Sequence, residues 1–281
     1  MSLLANIFAR TQEQYGVWFG RVVIIILLSF IFFVTGGGIS HNEKWRIERV
    51  DISGAKAVEE DIVRSLVRQK LEGSYFFLYA HDNSYIYPKK DIERMLLATF
   101  PRIKSISVSR TDNHAVMVTV KERAPYALWC NGEQSEKKCW FIDEDGFVFD
   151  QAPIFSRGVY VEFYGTLVER NEGEPLRASL PYERFATAKN FVSLLRESIG
   201  DSYRVEIKPE EEAEITLRSS AKYPYLADVS IRFKDQVSPE VLLKRLVTAI
   251  PTQFPDNISP KKKLLYIDMR FGNKVIFGFE N

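Results

Sequence analysis

Histidine and cysteine are scarce in this chain, three and two among 281 residues, and no large excess of either charge exists. Lys plus Arg number 38 against 37 for Asp plus Glu. A net charge of +1 supplies no field for gathering nucleic acid, phosphates or anionic lipid. His41, His81 and His114 stand apart in the sequence, in a juxtamembrane stretch, a loop and a turn, and are read as surface residues. HExxH, GxSxG and GxxxxGK[ST] are all missing. Gly36 to Gly38 lack a strand and helix to make a phosphate cradle and read as a linker or the end of a span. Carboxylates are plentiful, but Glu210 to Glu212 fall in a charged turn and Asp143 to Asp145 at a hairpin, with no pair in an apolar setting. The latter trio lacks the further ligands of an EF-hand and reads as a solvated turn. The expectation is a protein that is not an enzyme, with no cofactor and no metal.

What the chain does have is an uncharged stretch from Val22 to Ser40 containing VVIIILLSFIFFV. Extended back through Val17, it approaches the ~20 residues needed to cross the hydrocarbon, with Arg21 able to snorkel and Tyr15 and Trp18 suited to the interface. Two other readings compete: a cleaved signal peptide, for which Thr35 to Gly38 offer a site, and a buried core helix. The lack of any polar face and the length of the apolar run favour an anchor. The expected layout is a short cytoplasmic tail (1–16), a transmembrane helix (17–39) and a bulk outside the cytoplasm, since the folded mass follows the span.

Cys130 and Cys139 flank a polar segment that reads as a hairpin tip. Their spacing matches no CxxC site, and no histidine lies near enough in sequence to complete a zinc set. An interstrand disulfide and two reduced cysteines both fit.

From Trp45 to Arg123 the order is strand, helix, helix, strand, strand. WRIERVDISG gives the first strand, ended by Gly54. In VEEDIVRSLVRQKL an apolar face is made by Val58, Ile62 and Leu66 with Val63, Val67 and Leu71. A second helix begins near Pro88 and sets Ile92, Met95, Leu96 and Thr99 on one side before Pro101. Alternation then predicts strands around Ile106 and Val108 and around Val116, Val118 and Val120, joined by a turn at 111–114.

Past Pro125 the character turns to β. Asp145-Gly146 in FIDEDGFVF signals a hairpin, and 164–180 reads as a surface loop. Phe185, Ala188, Val192, Leu195 and Ile199 mark a helix from Pro181, followed by strands near 203–208 and 213–218. A last helix opens with Ser238 and Pro239, places Leu242, Leu246 and Ala249 on one face, and is closed by Pro251 and Pro255. KKKLLYIDMRFGNKVIFGFEN follows.

The phrases VDISG, FPRIKSISVSR and VTVKERAPYALW after a membrane anchor resemble the POTRA domain of the FtsQ/DivIB division proteins, and the YIDMRFGNKV phrase resembles the end of that family's second domain. The resemblance implies an α+β protein: transmembrane helix, POTRA domain (45–123, β-α-α-β-β), then a mostly antiparallel β domain with helices (124–281). It implies a non-enzymatic scaffold in the cytoplasmic membrane at the septum, linking divisome proteins. Its partners would be FtsB/FtsL-type single-span division proteins, bound by strand addition at the C-terminal strands. The competing classes are a membrane-anchored envelope enzyme and a POTRA-bearing secretion component, which would be expected to lead into a barrel or further repeats.

The final phrase allows a sharper expectation if Gly272-Asn273 is a two-residue turn. Phe271 then pairs with Lys274, Met269 with Ile276, Arg270 with Val275, Asp268 with Phe277 and Tyr266 with Phe279. Ile267, Met269 and Ile276 would face the core, leaving Val275, Phe277 and Phe279 exposed on an edge strand beside Asp268 and Arg270. A helix of the same domain covering those residues is the competing reading. The expected contact set is Tyr266, Arg270, Phe271, Asn273, Lys274, Val275, Ile276, Phe277 and Phe279.

Overall fold

The apolar run forms the end of one long helix, α1 (Ser2–Ser40). Its Trp18–Ser40 portion, with mean hydropathy 2.7, is long and apolar enough to cross a membrane. The computed structural model describes residues 2–280 apart from 133–136, 169–174, 219, 221 and 256–258, with side chains from Trp18 onward. Two units result, the first ending at Glu122 and the second starting at Arg123.

Gly36 to Gly38 are helical, and Gly36 and Gly37 serve close packing. A hairpin of β2 (Ser74–Tyr75) and β3 (Tyr79–Ala80) lies against α1 here. A Cβ at Gly36 would stand 2.9 Å from the Tyr79 hydroxyl, and one at Gly37 would stand 3.0 Å from Leu78 Cβ. The helix stops at Ser40, whose hydroxyl donates to the Gly37 carbonyl at 2.6 Å. This hairpin between the two helices was not expected from periodicity.

The rest of the first unit comprises β1 (Arg49–Ser53), α2 (Glu60–Leu71), α3 (Lys89–Thr99), β4 (Ile103–Arg110) and β5 (Ala115–Glu122). The sheet order is β1-β5-β4, with β1 parallel and β4 antiparallel to β5. Val63, Val67 and Leu71 of α2 and Ile92 and Leu96 of α3 are buried on the sheet's valines, as the 3.6-residue spacing requires. Ile62 lies too far round α2 and is exposed. Gly54 follows β1 at φ +87°, and any Cβ there would sit 2.1 Å from the Val120 carbonyl oxygen. Only glycine meets both conditions. The chain entering α2 is pinned by Glu122, whose carboxylate accepts the N–H groups of Lys56, Ala57 and Val58 at 2.7, 2.9 and 3.0 Å.

Among the described residues the second unit is a nine-stranded mixed sheet with two α-helices. Its strands are β6 (Ala127–Asn131), β7 (Lys138–Ile142), β8 (Val148–Gln151), β9 (Glu162–Gly165), β10 (Ser202–Ile207), β11 (Glu212–Leu217), β12 (Ser230–Lys234), β13 (Leu264–Asp268) and β14 (Ile276–Phe279). Their order is β14-β13-β12-β11-β10-β9-β6-β7-β8. The β9–β10, β6–β9 and β12–β13 pairings are parallel and the other five antiparallel, so the sheet is mixed with antiparallel pairs in the majority. Helices α4 (Tyr182–Ser198) and α5 (Pro239–Gln253) supply Phe185, Phe191, Leu195, Leu242, Leu246 and Ile250 to the core. Helix α5 runs through Pro251 rather than ending there. Phe254 follows it, its N–H donating to the Ile250 carbonyl at 2.9 Å.

Cys130 and Cys139 face each other across β6 and β7 and are joined by a disulfide; the tip at 133–136 lies outside the described residues. At the β7–β8 turn Gly146 adopts φ +79° and donates to the Asp143 carbonyl at 3.0 Å. Asp143, expected to be solvated, is buried. Its carboxylate pairs with Arg123 and accepts the N–H groups of Asp145 and Phe147, each at 3.0 Å. The 164–180 segment is also more structured than a surface loop. Tyr164 and Gly165 belong to β9, Val168 bridges to Ser179, and Ala178 and Leu180 are buried, while 169–174 lie outside the described residues.

Candidate interaction edge at the C-terminal hairpin

Alternation along β11, β12 and β13 sorts their side chains onto two faces. Ala213, Ile215, Leu217, Ile231, Phe233 and Ile267 point to the helices and are buried. The opposite face carries a charged ladder. Glu214 accepts from Lys208 at 2.6 Å and lies 3.4 Å from Arg232, whose guanidinium stacks 4.3 Å from the centre of the Tyr266 ring. Arg270 continues the ladder, donating to Asp268 at 2.6 Å and to Glu212 at 2.6 Å.

This network consumes a residue expected to meet a partner. The Arg270 guanidinium is bound by two carboxylates of its own unit, and hydrogen bonds to Asp268 and Glu212 hold it protonated more firmly than a free guanidinium. Burial opposes the charge on Asp268, but its bonds from Arg270 keep its carboxyl below the usual carboxylate range. Arg270 therefore shapes the hairpin base.

The hairpin itself departs from the expected register by one residue. A turn is present at Gly272-Asn273, where Lys274 N–H donates to the Phe271 carbonyl at 3.1 Å and Gly272 adopts φ +58°. Below it, however, the ladder pairs Asp268 with Ile276, Ile267 with Phe277, Tyr266 with Gly278 and Leu264 with Phe279. The β13 side holds one more residue than the β14 side between turn and ladder. Met269 remains bonded to β12, through the Arg232 carbonyl at 2.8 Å, so the extra residue is absorbed at Arg270 and Phe271.

A shift of one residue exchanges the faces of a strand. Val275, Phe277 and Phe279, expected to project outward, pack on the core side and are half-buried. Phe254 packs against the two phenylalanines, with ring centres 5.5 Å from Phe277 and 6.4 Å from Phe279. Ile276, assigned to the core, is 43% exposed, and Phe271 is 54% exposed. Asn273 and Lys274 are exposed at the turn. Tyr266 is half-buried and lies across Gly278, where a Cβ would stand 2.2 Å from the ring. Leu265, 40% exposed, is an apolar residue of this hairpin that alternation alone did not single out.

Strand β14 is the outermost of the nine. Glu280 N–H donates inward to the Lys263 carbonyl at 2.9 Å. Because antiparallel pairs alternate, the N–H and C=O of Phe279 turn away from β13, and those of Phe277 do the same across the next pair. Among the described residues no strand pairs with this edge, which offers backbone groups beside Ile276, with Phe271 at its turn end. Such an edge can accept a strand from another chain.

No protein-family model matches this sequence, and no curated protein matches it.

Proposed function

We propose that this chain is a division protein of the FtsQ/DivIB type, anchored by α1 in the cytoplasmic membrane with its N-terminus inside, and that it acts without catalysing a reaction. The parts of both units that follow α1 would lie outside the cytoplasm at the septum, linking divisome proteins and helping to control septal wall synthesis. The element order of the first unit behind its apolar helix, strand, helix, a small hairpin, helix and two strands, supports reading residues 45–123 as a POTRA domain with a hairpin inserted between its helices. The phrases quoted above support the family. The observation that carries the binding role is the open edge of β14, with Ile276 and Phe271 exposed beside it. An FtsB/FtsL-type single-span protein would add a strand there.

The test is capture by the full chain, in nanodiscs, of the host's small single-span coiled-coil division proteins. Wild type should retain the partner, and Ile276→Lys should lose most of it while keeping its fold. No capture by the wild type, or equal capture by both, contradicts the edge reading. Truncation after Arg270 is a poor probe, because it strips Val275, Phe277 and Phe279 from the core.

A further inference from the structure

The β2–β3 hairpin carries two phenylalanines at its tip, Phe76 and Phe77, 77% and 98% exposed. Both adopt positive φ, 50° and 63°, and Leu78 N–H donates back to the Tyr75 carbonyl at 3.0 Å. This is a two-residue turn of the kind that asparagine and glycine fill without strain, and a bulky residue at positive φ is disfavoured. Two large rings are therefore held in the open, on a backbone that resists them. Strain of this sort persists where a function uses it.

The neighbourhood says what covers them. The Tyr79 hydroxyl donates to the Phe33 carbonyl at 2.8 Å, and the Phe33 ring lies 5.2 Å from Tyr79 and 6.2 Å from Phe76. The hairpin runs back along α1: Ala80 N–H bonds the Ser40 hydroxyl at the helix end, while the tip reaches the level of Phe33. Phe33 is about 10 Å down the helix from Ser40, at ~1.5 Å per residue. It belongs to the uncharged run, and Gly73 to Ala80 also carries no charge. At the level of Ser40 an apolar recess of about 350 Å³ is lined by Ile39, Trp45, Tyr79, Tyr85 and Ile86. Trp45 and Tyr85 pack edge to face at 6.2 Å, the amphipathic aromatics favoured at a membrane interface.

We propose that the Phe76-Phe77 tip is a second membrane contact, inserted among the lipid acyl chains beside α1, with Trp45 and Tyr85 at headgroup level. The proposal rests on reading Trp18–Ser40 as a membrane span. It gives the first unit a fixed face toward the bilayer rather than a free tether.

Depth-dependent quenching in proteoliposomes of phosphatidylethanolamine and phosphatidylglycerol tests it. Full-length chains carry a single fluorophore at Phe77→Cys, at Ile26→Cys within α1, or at Ile154→Cys, which is 99% exposed in the second unit. The native cysteines are disulfide-bonded and stay unlabelled. The expected result is quenching by doxyl-labelled acyl chains at 77 as at 26, with iodide access several-fold lower than at 154. Iodide access at 77 equal to that at 154, with 26 still quenched by lipid, overturns the insertion alone; a protein-binding tip would give this result. Iodide access at 26 overturns the span reading and the insertion with it.

Discussion

Adjacent residues of β14 should respond in opposite ways to the same substitution. Phe277 is half-buried and meets Phe254 edge to face at 5.5 Å, opposite the fully buried Ile267. Full truncation of a buried phenylalanine costs roughly 3–5 kcal/mol, so a half-buried one with an aromatic partner should cost about 2 kcal/mol as Phe277→Ala. Phe277→Lys adds the cost of keeping an ammonium among apolar groups and should reach about 3 kcal/mol. Ile276 points the other way, beside Asp268, and is exposed. Ile276→Lys should therefore change stability by no more than about 0.5 kcal/mol. At the edge, though, lysine replaces an apolar contact and discourages strand pairing, so partner capture should weaken about tenfold, equivalent to ~1.4 kcal/mol. The assay is denaturant unfolding of the full chain in detergent, followed by the far-ultraviolet exciton couplet of Trp129 and Trp140, whose rings lie 5.5 Å apart in the second unit. A neutral Phe277→Lys with a destabilising Ile276→Lys would refute the register and restore pairing through a two-residue turn.

Gly54→Ala should destabilise the first unit by more than about 2 kcal/mol, since it combines positive φ with a clash against the Val120 carbonyl; hydrogen exchange of β1 and β5 would reveal it. Arg123→Ala leaves Asp143 buried without its cation and should cost about 3 kcal/mol, visible in the same tryptophan couplet; Asp143→Asn with Arg123→Ala should recover part of the loss. Burial opposes the charge on Glu122, but three backbone N–H donors hold its carboxyl below the usual carboxylate range. Its stabilising contribution is therefore full above the unfolded-state pKa of roughly 4.3 and fades as pH falls through the lower folded-state value. Unfolding midpoints of the first unit measured from pH 6 to 3 should fall with acid more steeply in wild type than in Glu122→Gln.

The helices were legible because burial follows a 3.6-residue spacing: Val63, Val67 and Leu71, or Phe185, Ala188, Val192 and Leu195, declare their faces without neighbours. The strands flanking 111–114 and the turn at Gly146 were legible for similar local reasons. The C-terminal register was not. One extra residue at Arg270-Phe271 leaves the composition unchanged but exchanges the faces of Ile276 and Phe277. The clue was Gly278, whose lack of a side chain makes room for Tyr266. Asp143 looked solvated because its partner Arg123 is 20 residues away and no local pattern links them. The β2–β3 hairpin was hidden by its own turn, where Phe76 and Phe77 replace the residues that ordinarily announce one.

Whether β14 accepts a strand from a single-span partner is decided by amide hydrogen exchange of the full chain in nanodiscs, with and without that partner. Strand addition should give new protection confined to the edge from Lys274 to Glu280, strongest at Phe277 and Phe279, whose N–H groups face away from β13. Saturating partner binding with unchanged exchange across that strand, and protection elsewhere, would contradict it.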